Sequence, residues 1–169
     1  YNHNTRKKEI NIFMKTINSD IKEKNKTVGT MLVAAGIYTR IYSRQCFRDK
    51  NFDITPEQFV VLEALIHQDG LYQRQLGEIT LKDRPNMTRI INILENNGYV
   101  ERRSDVNKRK VYKIYLTEKA KNNFKYMASV ASDYRSTMIN GISKDELDLC
   151  MEVLNKVLNN LLDKVDMNV

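Results

Sequence analysis

Apolar side chains recur three and four residues apart along most of this chain, which is the period of an amphipathic helix. The pattern changes at 99–103 and 111–116, where Val, Ile and Tyr favour two strands joined by a loop. The helical spacing predicts helices over about 5–24, 27–47, 56–68, 71–80, 85–96, 117–139 and 144–162. The sequence therefore predicts a mainly α protein with one β-hairpin.

Local signals mark where several of these helices begin and end. Thr55 is a favourable N-cap, Pro56 fits the first helical position, and Gln58 completes a capping box. Asp83 is a comparable N-cap before the helix that begins near Pro85. The other boundary signals are the capping box at 143–146 and the glycines Gly70, Gly98 and Gly141.

The region from 54 to 117 has the order of a winged helix-turn-helix: two short helices, a third helix and a hairpin. Residues 72–117 contain ten Lys or Arg and five Asp or Glu, so they carry +5 of the chain's net charge of +7. Because the positive charge coincides with this motif, we predict that it binds the phosphates and bases of double-stranded DNA.

The third helix of the motif is the candidate recognition helix, since its N-terminal end would enter the major groove. The candidates for contact with base edges are Arg84, Asn86, Met87, Thr88 and Arg89, with Met87 partly inward. Gln73, Arg74 and Gln75 begin the preceding helix and are expected to contact phosphates. Taken alone, Arg74, Arg84 and Arg89 would fit a solvent-exposed helix face as well as a DNA-binding one. The basic wing that follows them favours DNA binding.

The loop between the two strands is basic and longer than a tight turn, as in a protruding wing. Lys108, Arg109 and Lys110 place three cations at its tip. A long guanidinium gains from the strong negative potential of a narrow minor groove, so Arg109 is the first candidate and Lys110 the second.

The terminal segments suggest assembly. The first 26 residues predict an amphipathic helix with a basic face, which either contacts a partner or DNA or packs on its own fold. The last helix has a wider apolar stripe than a small winged domain covers, which implies a second copy. We therefore predict an N-terminal helical extension over 1–26 and a single domain over 27–166. That domain is mainly α with a small β-wing: a winged helix-turn-helix at about 54–117 plus N- and C-terminal dimerisation helices at about 27–50 and 117–166.

Patterns typical of enzymes and metal sites are missing from the sequence. His3 and His67 are its two histidines, and it contains no Gly-rich phosphate loop, nucleophile elbow or His/Cys metal spacing. We therefore expect no enzyme activity, catalytic residue, metal or cofactor, and reduced thiols at Cys46 and Cys150. No apolar run approaches the roughly 18 residues of a membrane span, and no secretory signal is visible. A cytoplasmic protein without a membrane partner is expected.

Five segments form a motif series: Thr55-Pro56-Glu57-Gln58-Phe59, Gln75-Leu76-Gly77-Glu78, Met87-Thr88-Arg89-Ile90-Ile91, the run from Leu94 to Arg102, and Leu116-Thr117-Glu118-Lys119-Ala120. This series resembles the MarR family of bacterial winged-helix transcription regulators. The resemblance implies a homodimer that reads a pseudo-palindromic operator, in many members as a repressor relieved by a small phenolic or other ligand. That ligand would bind between the helical layer and the winged domain.

Two details qualify this resemblance. Tyr38, Tyr42 and Phe59 are candidate contacts of a small effector, although helical aromatics are more often plain core. The family wing usually carries Asp-Arg-Arg or Asp-Lys-Arg, whereas this chain has Lys108-Arg109-Lys110. Which side chain fills the minor groove is therefore open. An alternative hypothesis is a winged-helix protein-interaction module without sequence-specific DNA binding, but that function favours a wing with few cations.

Overall fold

The structure is a computed structural model that describes residues 27–105 and 111–165. The predicted helix over 1–26 and the predicted wing residues Lys108, Arg109 and Lys110 lie outside the described residues. The chain divides into two compact units, 1–42 and 43–169, which are described separately below.

The described residues form six helices and three strands, which confirms the prediction of a mainly α fold with a small sheet. In chain order they are α1 (Val28–Asp49), α2 (Pro56–His67), β1 (Leu71–Tyr72), α3 (Gln73–Thr80), α4 (Arg84–Asn96), β2 (Val100–Ser104), β3 (Tyr112–Leu116), α5 (Glu118–Met138) and α6 (Lys144–Leu162).

The first unit is described from residue 27 to 42, which is the N-terminal part of α1. The Thr27 hydroxyl accepts a hydrogen bond from the Thr30 backbone N–H at 3.2 Å, so it caps the start of the helix. The predicted apolar face is exposed throughout: Met31, Leu32, Ala35, Tyr38 and Tyr42.

In the second unit the sheet has three antiparallel strands in the order β1-β3-β2, one more than predicted. Leu71 pairs with Ile114, and Val100 pairs with Leu116. The prediction of one helix over 71–80 was therefore wrong for its first two residues. A two-residue strand has no periodicity of its own, and only its pairing with β3, some forty residues later, makes it a strand.

The helix caps expected from the sequence are confirmed. Thr55 and Gln58 form a reciprocal capping box, and the Ser143 and Glu146 side chains form another at the start of α6. Gly70 has a φ of +72°, and a Cβ there would lie 2.8 Å from the Tyr115 ring. Glycine at this turn therefore satisfies both the backbone conformation and the close approach of β3.

The core lies between α2, α3, α4, α5 and the sheet. Phe59, Leu62, Leu76, Leu94 and Ile114 supply much of it and are fully or almost fully buried. Burial of such side chains is the main stabilising contribution to the winged region.

One predicted core residue of α3 is not in the core. Ile79 was expected to point inward with Leu76, but it is 58% exposed. The buried side of α3 runs through Leu76 and Gly77, and a Cβ on Gly77 would lie 2.9 Å from the Lys82 carbonyl oxygen. Ile79 therefore lies off the buried side of α3.

The terminal helix α6 contains no buried residue, although its sequence is strongly amphipathic. Among residues 27–105 and 111–165, no helix is both long enough and apolar enough to span a bilayer.

Candidate DNA-binding site

The N-terminal end of α4 is held by Asp83. Its carboxylate accepts hydrogen bonds from the Asn86 backbone N–H at 2.8 Å and from the Asn86 side-chain amide at 2.6 Å. These two bonds lower the pKa of Asp83, so its carboxylate is ionised at neutral pH. The anion at this helix end is therefore the chain's own carboxylate, and Asn86 is fixed in front of the helix.

The two faces of α4 differ completely in exposure. Ile90, Ile91 and Leu94 pack into the core, whereas Arg84, Asn86 and Arg89 are exposed. Met87 was expected to lie only partly inward, but none of its surface is exposed. Its place in the site is therefore to anchor α4, because a completely buried side chain has no surface to offer a base edge.

Residues at the start of α3 connect it to α4 and to the sheet. The Gln73 side-chain amide donates to the Thr88 hydroxyl at 2.5 Å, and that hydroxyl donates to the Arg84 carbonyl at 2.9 Å. Gln75 accepts from the Tyr72 backbone N–H at 2.9 Å and thereby caps α3. Gln73, Thr88 and Gln75 therefore fix the geometry of the helix pair.

Arg74 is the exposed member of the α3 group. Its guanidinium lies 3.6 Å from the Glu78 carboxylate one turn later, and its side chain is 87% exposed. So exposed an ion pair is weak. Arg74 can therefore exchange Glu78 for a DNA phosphate at a small cost in free energy.

The cations of the motif fall into two groups. Arg102 forms an ion pair with Glu95 and donates to Asn92 at 2.6 Å, while Arg103 pairs with Glu101. Arg84 and Arg89, by contrast, make no ion pair with any residue in the described parts of the chain. Among the described cations of the motif, Arg84 and Arg89 are therefore available at the start of α4, where base contacts were predicted.

The described part of the hairpin brings together residues that the sequence analysis did not select. The Tyr72 hydroxyl donates to the Asp105 carboxylate, and Lys113 lies 5.4 Å from the centre of the Tyr72 ring. Tyr72 and Asp105 are 33 residues apart, so no local spacing could have paired them. The one available signal is Tyr72 itself, since tyrosine is unusual at the residue before a helix.

The candidate effector residues have different environments. Tyr38 and Tyr42 are exposed in the first unit. Phe59 is fully buried in the second unit and stacks on Phe124, with 5.4 Å between ring centres. This packing agrees with the alternative that Phe59 is an ordinary core residue. Contact between Phe59 and a ligand stays a prediction.

An open cleft of about 560 Å³ lies elsewhere in the second unit, around the end of α1. Phe47 and Phe52 form its aromatic part, and Arg44 and Arg48 form its basic part. Burial raises the pKa of Glu57, but the Arg44 guanidinium at 2.7 Å outweighs this, so the net pKa is lowered. Arg44 is therefore already paired with an ionised carboxylate at neutral pH.

Among the described residues, no group of three or more His, Cys, Asp or Glu side chains could hold a metal ion. Cys46 and Cys150 are both free thiols.

The capped α4, the supporting α3 and the hairpin behind them define a winged helix-turn-helix protein. Residues 52–110 match the model of the MarR family. YybA of Bacillus subtilis (strain 168), described as an uncharacterized HTH-type transcriptional regulator, is 25% identical over 112 residues, which are 66% of this chain and 75% of that protein. The winged region of this chain is therefore similar to the MarR family.

Two solved structures have a similar fold. A MarR family transcriptional regulator from Listeria monocytogenes, complexed with 26mer DNA, has a TM-score of 0.71 and 22% identity, and the match covers 82% of this chain and 91% of that one. The PcaV transcriptional regulator from Streptomyces coelicolor, in complex with its natural ligand, has a TM-score of 0.70 and 17% identity, with 79% and 93% covered.

Proposed function

We propose that this protein is a sequence-specific double-stranded DNA-binding transcriptional regulator whose DNA affinity is modulated by a small ligand. The observation that carries the proposal is the N-terminal end of α4. There Arg84, Asn86 and Arg89 are exposed, while the opposite face of the helix is locked into the core.

The chemistry of these side chains suits base recognition in a major groove. A guanidinium donates two parallel hydrogen bonds to guanine O6 and N7, and an asparagine amide matches adenine N6 and N7. Because Asp83 and the buried α4 face hold the helix in place, the entropy cost of ordering this surface on DNA is small. Arg74 on α3 is suited to a phosphate contact.

Assembly and regulation extend the proposal. The exposed apolar face of α6 supports a homodimer, which would read the two halves of a pseudo-palindromic operator about 10 bp apart. The ligand complex of PcaV supports a small effector. Repression and a cytoplasmic location, where bacterial DNA is found, are part of the same proposal. The relatives described above are transcription regulators, which supports a role without enzyme activity.

The central experiment selects DNA from a random duplex library at two salt concentrations and sequences the retained molecules. We expect enrichment of an inverted repeat that survives at the higher salt concentration. If the retained DNA shared no sequence motif and was released as salt rose, the binding would be purely electrostatic. That result would favour the interaction-module hypothesis.

The role of Arg89 is tested with two substitutions on the selected operator. Arg89→Ala should weaken specific binding by about 1–3 kcal/mol and relax base preference at one position in each half-site. Arg89→Lys keeps the charge but loses the bidentate fork, so it should restore little of that preference. Lys125→Ala on α5, which removes the same charge from an exposed site, is the matched control and should leave the base preference unchanged.

The wing prediction needs a separate variant, Arg109→Ala. Its effect should follow minor-groove width rather than base identity, so it should be largest on operators whose flanks contain A-tracts. The site assignment would be rejected if Arg89→Ala and Arg109→Ala both bound a confirmed operator with the affinity of wild type.

The ligand part is tested by titrating operator complexes with simple phenolic acids, beginning with 4-hydroxybenzoate. We expect at least one compound to release DNA and to raise the melting temperature of the free protein. If no compound changes operator affinity, the effector part of the proposal fails while the DNA-binding part stands.

A further inference from the structure

We propose that Tyr72 is a positioning residue that orients the β2–β3 hairpin for DNA by holding Asp105. The inference rests on the DNA-binding function proposed above. It adds a residue that does not itself contact bases but sets where the hairpin lies relative to α3 and α4.

Tyr72 lies where β1 meets α3. It is the last residue of β1, it precedes α3 directly, and it pairs with Lys113 of β3. Its hydroxyl donates to the Asp105 carboxylate just beyond the end of β2. The Asp105 backbone N–H donates to the Val111 carbonyl at 2.9 Å. A single side chain thus links the start of the helix pair to the far end of the described hairpin.

The local sequence frees the Tyr72 side chain for this contact. The residue before a helix is usually Ser, Thr, Asp or Asn, whose side chain caps the first turn. Tyrosine cannot do this, and here the Gln75 side chain caps α3 by accepting from the Tyr72 backbone N–H at 2.9 Å. The departure from the usual residue type therefore has a structural use: the phenol reaches away from the helix and across the sheet.

A layer of cations and rings on one face of the sheet supports this link. Opposed residues of antiparallel strands share a face, so Tyr72, Arg103, Lys113 and Tyr115 lie on the same side. The Arg103 guanidinium lies 4.5 Å from the centre of the Tyr115 ring, and the Lys113 amine lies 5.4 Å from the centre of the Tyr72 ring. Cation–π contacts therefore run across all three strands and hold the Tyr72 ring in place.

The need for such a link follows from the size of β1. Two residues give few backbone hydrogen bonds, and a β2–β3 ribbon can twist about so short an attachment. The hydrogen bond to Asp105 raises the pKa of the Tyr72 hydroxyl, so it remains protonated and a donor at neutral pH. Removing the hydroxyl would leave the sheet paired but release the hairpin from its fixed direction.

The test compares Tyr72→Phe, Asp105→Ala and the double variant on the selected operator. Tyr72→Phe keeps the ring and its contact with Lys113 but removes the donor. Each single variant should bind the operator about threefold to tenfold more weakly, the contribution of one hydrogen bond. The double variant should bind no more weakly than the worse single variant, because both substitutions break the same contact. Tyr112→Phe, at an exposed site on β3, is the matched control and should bind as wild type.

Two further measurements separate positioning from a general loss of structure. Hydroxyl-radical footprints should lose the minor-groove protection that flanks the α4 contact in Tyr72→Phe, while melting temperatures stay unchanged. If Tyr72→Phe kept the wild-type footprint, this inference would fail while the proposed function stood. The same would follow if the double variant lost affinity by the product of the two single-variant factors. The absence of any wild-type footprint would overturn the proposed function together with this inference.

Discussion

Helices α4 and α6 have the same design in the sequence but opposite environments in the structure. Both begin at a polar N-cap, Asp83 or Ser143, and both have a continuous apolar stripe. In α4 the stripe residues Met87, Ile90, Ile91 and Leu94 are at most 4% exposed, whereas in α6 no residue is buried and Leu158 is 56% exposed. The difference lies in what surrounds each helix, since the local signals are equivalent.

This comparison shows what an amphipathic pattern does and does not determine. It determines that a helix forms and which face has to be covered, but not whether the cover comes from the same chain. For α4 the cover is α2, α3 and the sheet. For α6 we propose a second copy, because a soluble protein rarely leaves such a face in water.

The largest expected effect comes from a cavity under α4. Leu94→Ala should lower the free energy of unfolding by about 2–5 kcal/mol, because a fully buried side chain leaves its neighbours without contacts. Urea unfolding at two protein concentrations measures the loss, which should be the same at both. Leu158→Ala on α6 is the comparison, and its effect should grow with protein concentration. A concentration-dependent loss in Leu94→Ala would mean that the winged region also depends on the partner.

A charge on the α6 face tests the proposed cover directly. Leu158→Asp should weaken dimerisation by about 2 kcal/mol or more, because an unpaired carboxylate would be buried in the contact. Sedimentation at a series of concentrations gives the dissociation constant. Asn155→Asp adds the same charge to an exposed polar position of α6 and should have little effect. If both variants dimerise as wild type does, the face is covered by something other than a second copy.

Helix caps provide a smaller test of the same contrast. Thr55→Ala removes the capping hydroxyl of α2 and should cost about 0.5–2 kcal/mol of unfolding free energy. The equivalent change in α6, Ser143→Ala, should cost less in the monomer, because a helix without buried contacts frays from its start in either case. Hydrogen exchange of the first-turn amides distinguishes the two. A larger loss of protection in α6 than in α2 would contradict the comparison.

The smallest expected effect is a dependence on pH at Asp53, which ties the loop before α2 to later elements. Burial raises the pKa of Asp53, but hydrogen bonds from Tyr99 at 2.5 Å and Lys119 at 3.1 Å outweigh it, so the net pKa is lowered. The carboxylate therefore stabilises the fold above its unfolded pKa of about 3.9, and this contribution is lost as the pH falls through the lower folded value.

The expected contribution of Asp53 is well under about 1 kcal/mol, because its side chain is half exposed. Unfolding free energies of wild type and Asp53→Asn should differ at pH 7 and converge as the pH falls below the folded pKa of Asp53. A difference that does not shrink with falling pH would show that Asp53 acts through something other than its charge.

The exposed side chains of the candidate DNA site could be predicted from the sequence, whereas the contacts that support them could not. Exposure of Arg84, Asn86 and Arg89 follows from their spacing against the apolar stripe of α4, and this is what the structure contains. The spacing of Met87 from Ile90 and Ile91 predicts its side of the helix but not its complete burial. The hydrogen bond of Gln73 was not predictable, because it depends on a neighbouring helix. The Tyr72–Asp105 link was missed for the same reason.

By itself the sequence determined the helices, their caps at Thr55 and Ser143, and the glycine turn at Gly70, since these features depend on contacts within a few residues. Only the tertiary structure decided that Leu71–Tyr72 is a strand, that Ile79 faces outward and that Tyr72 meets Asp105. Each of these needs a partner brought close by folding, and no local periodicity encodes which partner arrives. The cover of α6 follows the same principle, because the proposed second copy is a partner that no local pattern in the sequence specifies.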